Sequence, residues 1–184
     1  MADDIERAAA AIEAGDLVVY PTETVYGLAA DALDPDAVAA VFDAKGRDRD
    51  KPVSLAVPDV EAALEYTTPT ATERAFMHEF LPGPVTVVLE RREVVPDVLT
   101  AGREQVGIRV PDHPVALALL DAVEPLTATS ANVSGQPSAR TVAGLDSITE
   151  SAAVVLDGGE TGGTGSTVVD VEAGEIHRRG ANAD

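Results

Sequence analysis

Residues 17–28 read "LVVYPTETVYGL", and this stretch contains the pattern that organises the chain. "LVVY" is a short apolar run rich in valine, so it predicts a buried strand over residues 17–20. Pro21 follows the run, and two threonines, a glutamate and a tyrosine crowd together before the next glycine. Polar side chains directly after a strand lie where an open α/β sheet builds its sites. The stretch therefore predicts a strand and, beside it, one wall of a functional site.

Helices and strands mix on both sides of this stretch. Residues 3–14 predict a helix capped by Asp3 or Asp4. Residues 35–45 predict a second helix, which Gly46 ends. Further strands are predicted within 51–57, 85–91, 106–110, 125–129, 152–159, 166–171 and 175–180, and further helices within 59–67, 70–81, 113–123 and 141–148.

The chain shows no internal repeat, no low-complexity linker and no change in composition that would mark a boundary. Its 184 residues fit one domain with a sizeable core. We therefore predict one α/β domain over residues 1–184, built on a twisted mixed β-sheet with flanking helices.

The net charge of −19 is unusual for this length. Its direct reading is a poor affinity for polyanions, because like charges repel at long range. A second reading is adaptation to high salt: only Lys45 and Lys51 are lysines, and the acidic residues are spread along the chain. Under a halophilic reading the charge says little about partners, and the few cations become more informative.

Several classes of protein are disfavoured by composition. There is no cysteine, so no disulfide framework and no thiolate metal site is expected. No apolar run approaches the roughly 20 residues of a membrane helix, and the acidic N-terminus does not resemble a signal peptide. We therefore expect a cytoplasmic protein without membrane contact.

Standard catalytic signatures are also missing. The glycine-rich run "DGGETGGTGST" at residues 157–167 lacks the Lys-Ser/Thr end of a P-loop, and a flexible hairpin loop explains it equally well. The three histidines His78, His113 and His177 are isolated, and we interpret them as structural or solvated.

Three further polar clusters remain, and each also has a structural explanation. Lys45 and Arg47 lie two residues apart at a helix end, where the helix dipole alone favours cations. Ser130 and Asn132 follow a strand and could donate to phosphate oxygens, although both are ordinary loop residues. Arg109 interrupts an apolar strand, and it needs either a structural carboxylate or a ligand carboxylate as partner.

The order of these clusters is more specific than any one of them. "YPTETVYGL", "KGRDRDKPVSL", "LPGPVTVVL", "VGIRVPDHPVALALL", "TSANVSG" and "GSTVVDV" follow one another as in the YrdC/Sua5 family of threonylcarbamoyl-AMP synthases, which this sequence closely resembles. The resemblance runs from about Gly15 to Gly180. It includes the family's Lys-x-Arg and Ser-x-Asn, and it departs at "IHRRG", where Arg179 replaces the usual proline.

The resemblance implies an L-threonylcarbamoyladenylate synthase of the short form. Such a nucleotidyltransferase condenses L-threonine, bicarbonate and ATP into threonylcarbamoyl-AMP and pyrophosphate. The product passes to the tRNA threonylcarbamoyl transferase machinery for t6A37 modification. The resemblance also implies a concave cavity within the sheet, and Mg²⁺ bound through the ATP phosphates rather than by the protein.

Site roles follow from the resemblance residue by residue. Catalysis is expected of Lys45, Arg47, Ser130 and Asn132, and threonine binding of Thr22, Arg109 and Ser166. ATP is expected to contact Lys45, Arg47, Ser130, Asn132, Ser138 and Arg178. Lys45 is further expected to be reachable by solvent, so that its removal would leave the fold intact.

Two other functions stay open at this point. One is a YciO-like paralogue, or a domain of the kind found in hydrogenase maturation proteins, that uses a different acceptor. The other is an RNA-binding protein of the same fold, against which the acidic composition and the 3% aromatic content argue.

Overall fold

The computed structural model describes residues 1–179, so residues 180–184 of the predicted domain lie outside the described residues. Its α-helices are α1 (Ala2–Glu13), α2 (Pro35–Lys45), α3 (Val60–Ala63), α4 (Ala71–Phe80), α5 (Asp97–Thr100) and α6 (Pro114–Ala122). Its strands are β1 (Leu17–Tyr20), β2 (Gly27–Ala29), β3 (Ser54–Ala56), β4 (Val85–Glu90), β5 (Gln105–Arg109), β6 (Leu126–Ala128), β7 (Ala152–Val155), β8 (Thr167–Asp170) and β9 (Glu175–Arg178).

The strands form two mixed sheets rather than the single sheet that was predicted. One has the order β2-β1-β7, and the other has the order β6-β3-β5-β4-β8-β9. β2 and β6 lie side by side through two isolated bridges, Gly27 with Ser130 and Asp31 with Leu126. Between those bridges the amide of Ala30 donates to the side-chain Oγ1 of Thr127 at 3.0 Å instead of to a backbone carbonyl. The regular ladder is interrupted there, which explains why one continuous sheet becomes two.

Both parallel and antiparallel pairs occur, as a mixed sheet requires. The parallel pairs are β1 with β7, β3 with β5, and β4 with β8. The predicted final pair, β8 with β9, is antiparallel. Because β3, β5, β4 and β8 are adjacent, the chain segments at their ends are brought together although they are distant in sequence.

Three apolar clusters hold the helices against these sheets. The largest packs α3, α4 and the side chains of β3, β4 and β5. A second joins α1 and α6 to one face of β1, and a third joins α2 to its other face. β1 is thus buried over all its residues, as the apolar run predicts.

α2 shows why its sequence folds as predicted. Asp34 caps it by accepting from the amide of Asp36, and Pro35 occupies the first turn. Gly46 ends it in the left-handed conformation at φ 58°, which glycine adopts without steric cost. The helix therefore delivers Lys45 and Arg47 at a fixed end.

The local predictions fail at five places. α1 is capped at Met1, not at Asp3 or Asp4, which lie inside its first turn. The helix within 59–67 is only four residues long, and the helix within 141–148 is replaced by two 3₁₀ segments, Val142–Gly144 and Ser147–Ser151. β2 and α5 were not predicted, because such short elements leave little periodic signal. Within residues 1–179 the longest apolar helices are too short and too polar to cross a bilayer.

Candidate functional site

A cavity of about 430 Å³ opens between the two sheets and the loops that follow β1 and β6. Its walls bring together residues from β3, β4, β5 and β9. They also include residues of the loop after β1, called the "PTET" loop after residues 21–24, and of the loop after β6. Arginine supplies its charge: the lining includes Arg47, Arg103, Arg109 and Arg178. None of the lining residues among the described part of the chain is an aspartate or a glutamate. In a chain of net charge −19, this cavity is a basic pocket.

The "PTET" loop uses its threonines to hold its own turn. Thr22 Oγ1 donates to the carbonyl of Val25 at 2.6 Å and accepts from the amides of Thr24 and Val25 at 3.2 and 3.3 Å. Thr22 and Thr24 line the cavity while being almost fully buried. The crowding of polar side chains after β1 therefore has a local cause, and the threonine contact of Thr22 stays a prediction.

Lys45, Ser130 and Asn132 form one hydrogen-bonded group, and their predicted shared role stays a prediction. Lys45 Nζ donates to the backbone carbonyl of Ser130 and lies 3.4 Å from Asn132 Oδ1. Ser130 Oγ donates to the same Oδ1, and Asn132 Nδ2 donates to the carbonyl of Gln136 at 2.9 Å. The Ser-x-Asn segment thus fixes the lysine through neutral oxygens.

The expectation that Lys45 is reachable by solvent is wrong. The residue is 1% exposed, because α2 packs its last turn beneath the Ser130 loop. Burial, followed by the charge of Arg47, lowers the pKa of Lys45 from 10.5 to about 8. Ser130 lines the cavity, whereas Lys45 and Asn132 lie behind that lining. Replacement of Lys45 will therefore disturb the fold as well as the site.

Arg47 follows Gly46, the residue that ends α2, and its side chain lines the cavity. Its Nε donates to the carbonyl of Lys51 at 3.1 Å, and its Nη2 donates to the carbonyl of Pro52 at 2.9 Å. Burial, followed by the charge of Arg178, lowers the pKa of Arg47 below its ordinary value. The guanidinium groups of Arg47 and Arg178 are close enough for one charge to lower the pKa of the other. Among the described residues, Arg47 bonds to backbone carbonyls and to no carboxylate. This end of the cavity therefore attracts anions.

Ser166 and Arg178 are in direct contact. Arg178 Nη2 donates to Ser166 Oγ at 2.7 Å, and its Nε donates to the Ser166 carbonyl at 3.0 Å. Ser166 Oγ also lies 2.8 Å from Thr86 Oγ1 of β4, so two buried hydroxyl groups in sequence orient the guanidinium. The two residues were assigned to different ligands from the sequence, yet the structure places them together. Arg178 lines the cavity, and its contact with ATP stays a prediction.

Arg109 has a carboxylate partner, and it is Glu23 of the "PTET" loop. Arg109 Nη2 donates to Glu23 Oε1, and Glu23 Oε2 accepts from the amide of Asp112 at 2.5 Å. Arg109 Nε is buried without a partner among the described residues. The structural carboxylate left open by the sequence is therefore present, and the pairing of Arg109 with a threonine carboxylate stays a prediction.

The glycine-rich run 157–167 is tied to the "PTET" loop rather than standing free as a hairpin. The amides of Gly162 and Gly163 donate to the carbonyls of Glu23 and Thr24 at 3.2 and 2.5 Å. Tyr26 Oη donates to the Gly159 carbonyl at 2.7 Å. A side chain at Gly162 would come within 2.6 Å of the Glu23 carbonyl, so this close approach requires glycine.

Ser138, the remaining predicted ATP contact, also lines the cavity and is exposed. Residues of the site that sequence analysis missed include Glu23, Thr86 and the cavity-lining Arg103. Glu23 was visible in the quoted loop, and the need of Arg109 for an anion was the signal that could have identified it. Thr86 carried no such signal, because a threonine in a strand is ordinary.

The comparisons with known proteins follow this geometry. The Sua5_yciO_yrdC family model, described as "Telomere recombination", matches residues 10–180. A threonylcarbamoyl-AMP synthase of Pyrococcus abyssi is 44% identical over 172 residues, which cover 91% of this chain and 50% of that protein. This chain spans about half the length of the curated relatives that it matches first.

Solved structures agree. P. abyssi Sua5 complexed with L-threonine superposes with a TM-score of 0.87 at 40% identity, over 98% of this chain and 55% of that one. Escherichia coli YciO superposes with a TM-score of 0.86 at 24% identity, over 98% of this chain and 91% of that one, and this match shows the fold alone. The chain belongs to the Sua5/YciO/YrdC family.

Proposed function

We propose that this chain is an L-threonylcarbamoyladenylate synthase. It would condense L-threonine, bicarbonate and ATP into threonylcarbamoyl-AMP and pyrophosphate, and would act as a nucleotidyltransferase. The observation that carries the proposal is the composition of the cavity lining. Although the chain is rich in acidic residues, the lining contains four arginines and, among the described residues, no aspartate or glutamate. The similar Pyrococcus protein named threonylcarbamoyl-AMP synthase, and the Sua5 structure with L-threonine, support the choice of reaction.

ATP fits the end of the cavity at Arg47 and Arg178. Among the described residues both side chains bond to neutral oxygens alone, Ser130 lines the same cavity, and the charge of the buried Lys45 is close enough to that of Arg47 for the two to interact. Arginine forks and lysine match phosphate oxygens, and charge-assisted hydrogen bonds of this kind are about twice as strong as neutral ones. Ser138 provides a further hydroxyl at this end.

The amino acid fits the end of the cavity at Arg109. Its carboxylate would meet this guanidinium, while Thr22 and Ser166 close the space around its side chain. Its nitrogen would then attack the carbon of bicarbonate, and water would leave as the carbamate forms. A carbamate oxygen would attack the α-phosphorus of ATP, and pyrophosphate would leave toward the arginines. Positioning and charge stabilisation supply such catalysis without a covalent nucleophile.

Mg²⁺ is expected to arrive with ATP, because it binds substrate phosphates readily and keeps several waters. Within residues 1–179, no group of three or more His, Asp or Glu side chains has the arrangement of a metal site. In this proposal the ATP phosphates hold the ion, and it offsets their negative charge.

Pyrophosphate release is the direct test of the proposal. Release should require threonine and bicarbonate together, since the attacking carbamate contains both, and it should not require RNA. ATP turnover that ignores threonine would instead favour a paralogue with a different acceptor. The absence of turnover together with tight binding of short RNA would favour the RNA-binding protein.

Amino acid specificity gives a second readout of the same site. Serine lacks one methyl group and should be used about 10-fold less well or somewhat worse, because one buried methyl group supplies limited discrimination. Valine should be far worse, since its methyl in place of the hydroxyl leaves polar groups of the site unpaired. Transfer of the product to tRNA-modifying partners belongs to the same proposal.

A further inference from the structure

The four arginines of the cavity differ in their partners. Arg109 pairs with the carboxylate of Glu23, and the side chains of this pair are only 10% and 19% exposed. Arg47 and Arg178 bond to carbonyl and hydroxyl oxygens. Among the described residues, Arg109 is the only cavity arginine that pairs with an acid. The charge of Arg109 is thus offset by a carboxylate, while Arg47 and Arg178 have no carboxylate partner within residues 1–179.

Glu23 is held in place from two sides. One of its oxygens accepts from Arg109 and the other accepts from the amide of Asp112, just after β5. Its own backbone carbonyl accepts from Gly162. Of the nitrogens of Arg109, Nη2 is taken by Glu23, and Nε is buried. Arg109 lines the cavity, and its contact with Glu23 fixes the orientation in which the guanidinium faces a ligand.

We propose that Glu23 sorts the two substrates between the ends of the cavity. The inference rests on the proposed function, in which a polyphosphate and an amino acid bind side by side. An arginine without a carboxylate partner attracts phosphate as readily as it attracts an amino acid carboxylate. The Glu23–Arg109 pair is neutral in sum, so it accepts the net-neutral zwitterion of an amino acid by geometry, while the carboxylate repels phosphate.

The sizes of the charges favour this arrangement. ATP and pyrophosphate carry several negative charges, whereas threonine has no net charge at neutral pH. Repulsion by one nearby carboxylate therefore acts strongly on the phosphates and weakly on the amino acid. Because these interactions occur within a cavity, they are screened less than on the surface. Glu23 is in this role a positioning and specificity-determining residue.

The first test measures inorganic tripolyphosphate binding by calorimetry without threonine. Glu23→Gln keeps the size of the side chain and removes its charge, so tripolyphosphate should bind about 10-fold more tightly than to the wild type. Glu61→Gln is the matched control, because Glu61 pairs with Arg74 on the exposed surface. It should bind tripolyphosphate like the wild type. Equal binding by Glu23→Gln and Glu61→Gln would overturn the proposal, whether or not the enzyme assay succeeds.

The second test uses pyrophosphate as an inhibitor of the synthase reaction. In the wild type, pyrophosphate should compete with ATP and not with threonine. In Glu23→Gln it should compete with both, and the KM for threonine should rise about 10-fold while kcat changes less. Unchanged inhibition patterns and an unchanged KM would contradict the sorting role, and wild-type turnover in the same assay would leave the proposed function intact.

Glu23→Asp distinguishes the effect of the carboxylate charge from the effect of its contact with Arg109. The shorter carboxylate keeps the repulsion but no longer reaches Arg109, so tripolyphosphate should bind as weakly as to the wild type while the KM for threonine rises. This variant also guards against a folding failure of Glu23→Gln. Thermal unfolding of each variant should show one cooperative transition. Tight tripolyphosphate binding by folded Glu23→Asp would show that charge is not the cause.

Discussion

The arginines inside the cavity and those outside it are treated differently by the same acidic chain. Outside, five arginines form ion pairs with carboxylates: Arg7, Arg49, Arg74, Arg91 and Arg140. Inside, Arg47 and Arg178 bond to neutral oxygens although acidic residues outnumber basic ones by 32 to 13. Among residues 1–179 no carboxylate pairs with these two side chains, which fits the proposed binding of phosphates at this end of the cavity. Within the cavity Arg109 differs from Arg47 and Arg178, because it forms an ion pair with Glu23.

Arg47→Ala should give the largest effect. It removes a guanidinium from the end of the cavity where we propose that the ATP phosphates bind. The synthase rate should fall by about 100-fold to 1,000-fold, which is the loss expected when one charge-stabilising donor is removed. The matched control is Arg92→Ala, because Arg92 also bonds two backbone carbonyls, those of Leu64 and Thr67, outside the cavity. Steady-state kinetics and thermal unfolding check both variants. A comparable loss of rate in Arg92→Ala would show that arginine–carbonyl bonds, not the cavity charge, cause the effect.

Lys45 should give the next effect, through the pH dependence of stability. Its pKa is lowered to about 8 in the folded protein and is near 10.5 when unfolded. Between these values the unfolded chain binds more protons, so the free energy of unfolding should rise with pH. From pH 8 to pH 10 the wild type should gain about 2 kcal/mol more than Lys45→Met.

Denaturant unfolding at several pH values measures this difference. The window stops at pH 10 because burial raises the pKa of Tyr20 to about 12, and tyrosine titration then lowers stability as pH rises further. The synthase rate should fall above about pH 8, as Lys45 loses its charge. Parallel pH curves for the wild type and Lys45→Met would contradict the burial of a charged lysine.

Thr86→Val should have a smaller effect on Arg178. The variant removes one hydroxyl from the chain Thr86–Ser166–Arg178 while keeping the shape of the side chain. Arg178 is then held less firmly, and the KM for ATP should rise about 10-fold with a smaller change in kcat. Thr86→Ser should restore the wild-type value. If Thr86→Val leaves the KM for ATP unchanged, the hydroxyl chain has no role in placing the guanidinium.

Salt concentration should have the smallest effect, which is a change in thermal stability through screening of charges outside the cavity. Screening of the net charge of −19 should raise the melting temperature by about 5 °C between 0.1 M and 2 M KCl. Scanning calorimetry across this range measures the shift. Equal melting temperatures would refute the high-salt adaptation and would make the acidic charge relevant again to the choice of partners.

Local sequence patterns predicted the elements that carry several of the candidate site residues, whereas the roles of those residues were taken from the family resemblance and stay predictions. Lys45 follows from a helix with a clear cap and a glycine end, and β1 follows from an unbroken apolar run. Long-range contacts were not accessible in this way. The pairing of Glu23 with Arg109 and the burial of Lys45 depend on segments 86 and 85 residues apart. The ladder between β2 and β6 is interrupted where the amide of Ala30 donates to the side-chain Oγ1 of Thr127, a contact between residues 97 positions apart.

The central claim is that the basic cavity joins threonine, bicarbonate and ATP into one product. Mass spectrometry after a short incubation with ¹³C-bicarbonate tests it most directly. The account predicts an ion of threonylcarbamoyl-AMP that is one mass unit heavier than with ordinary bicarbonate, formed by the wild type and strongly reduced in Arg47→Ala. Absence of that ion while ATP and threonine are both bound, or a product that carries no label from bicarbonate, would contradict the account.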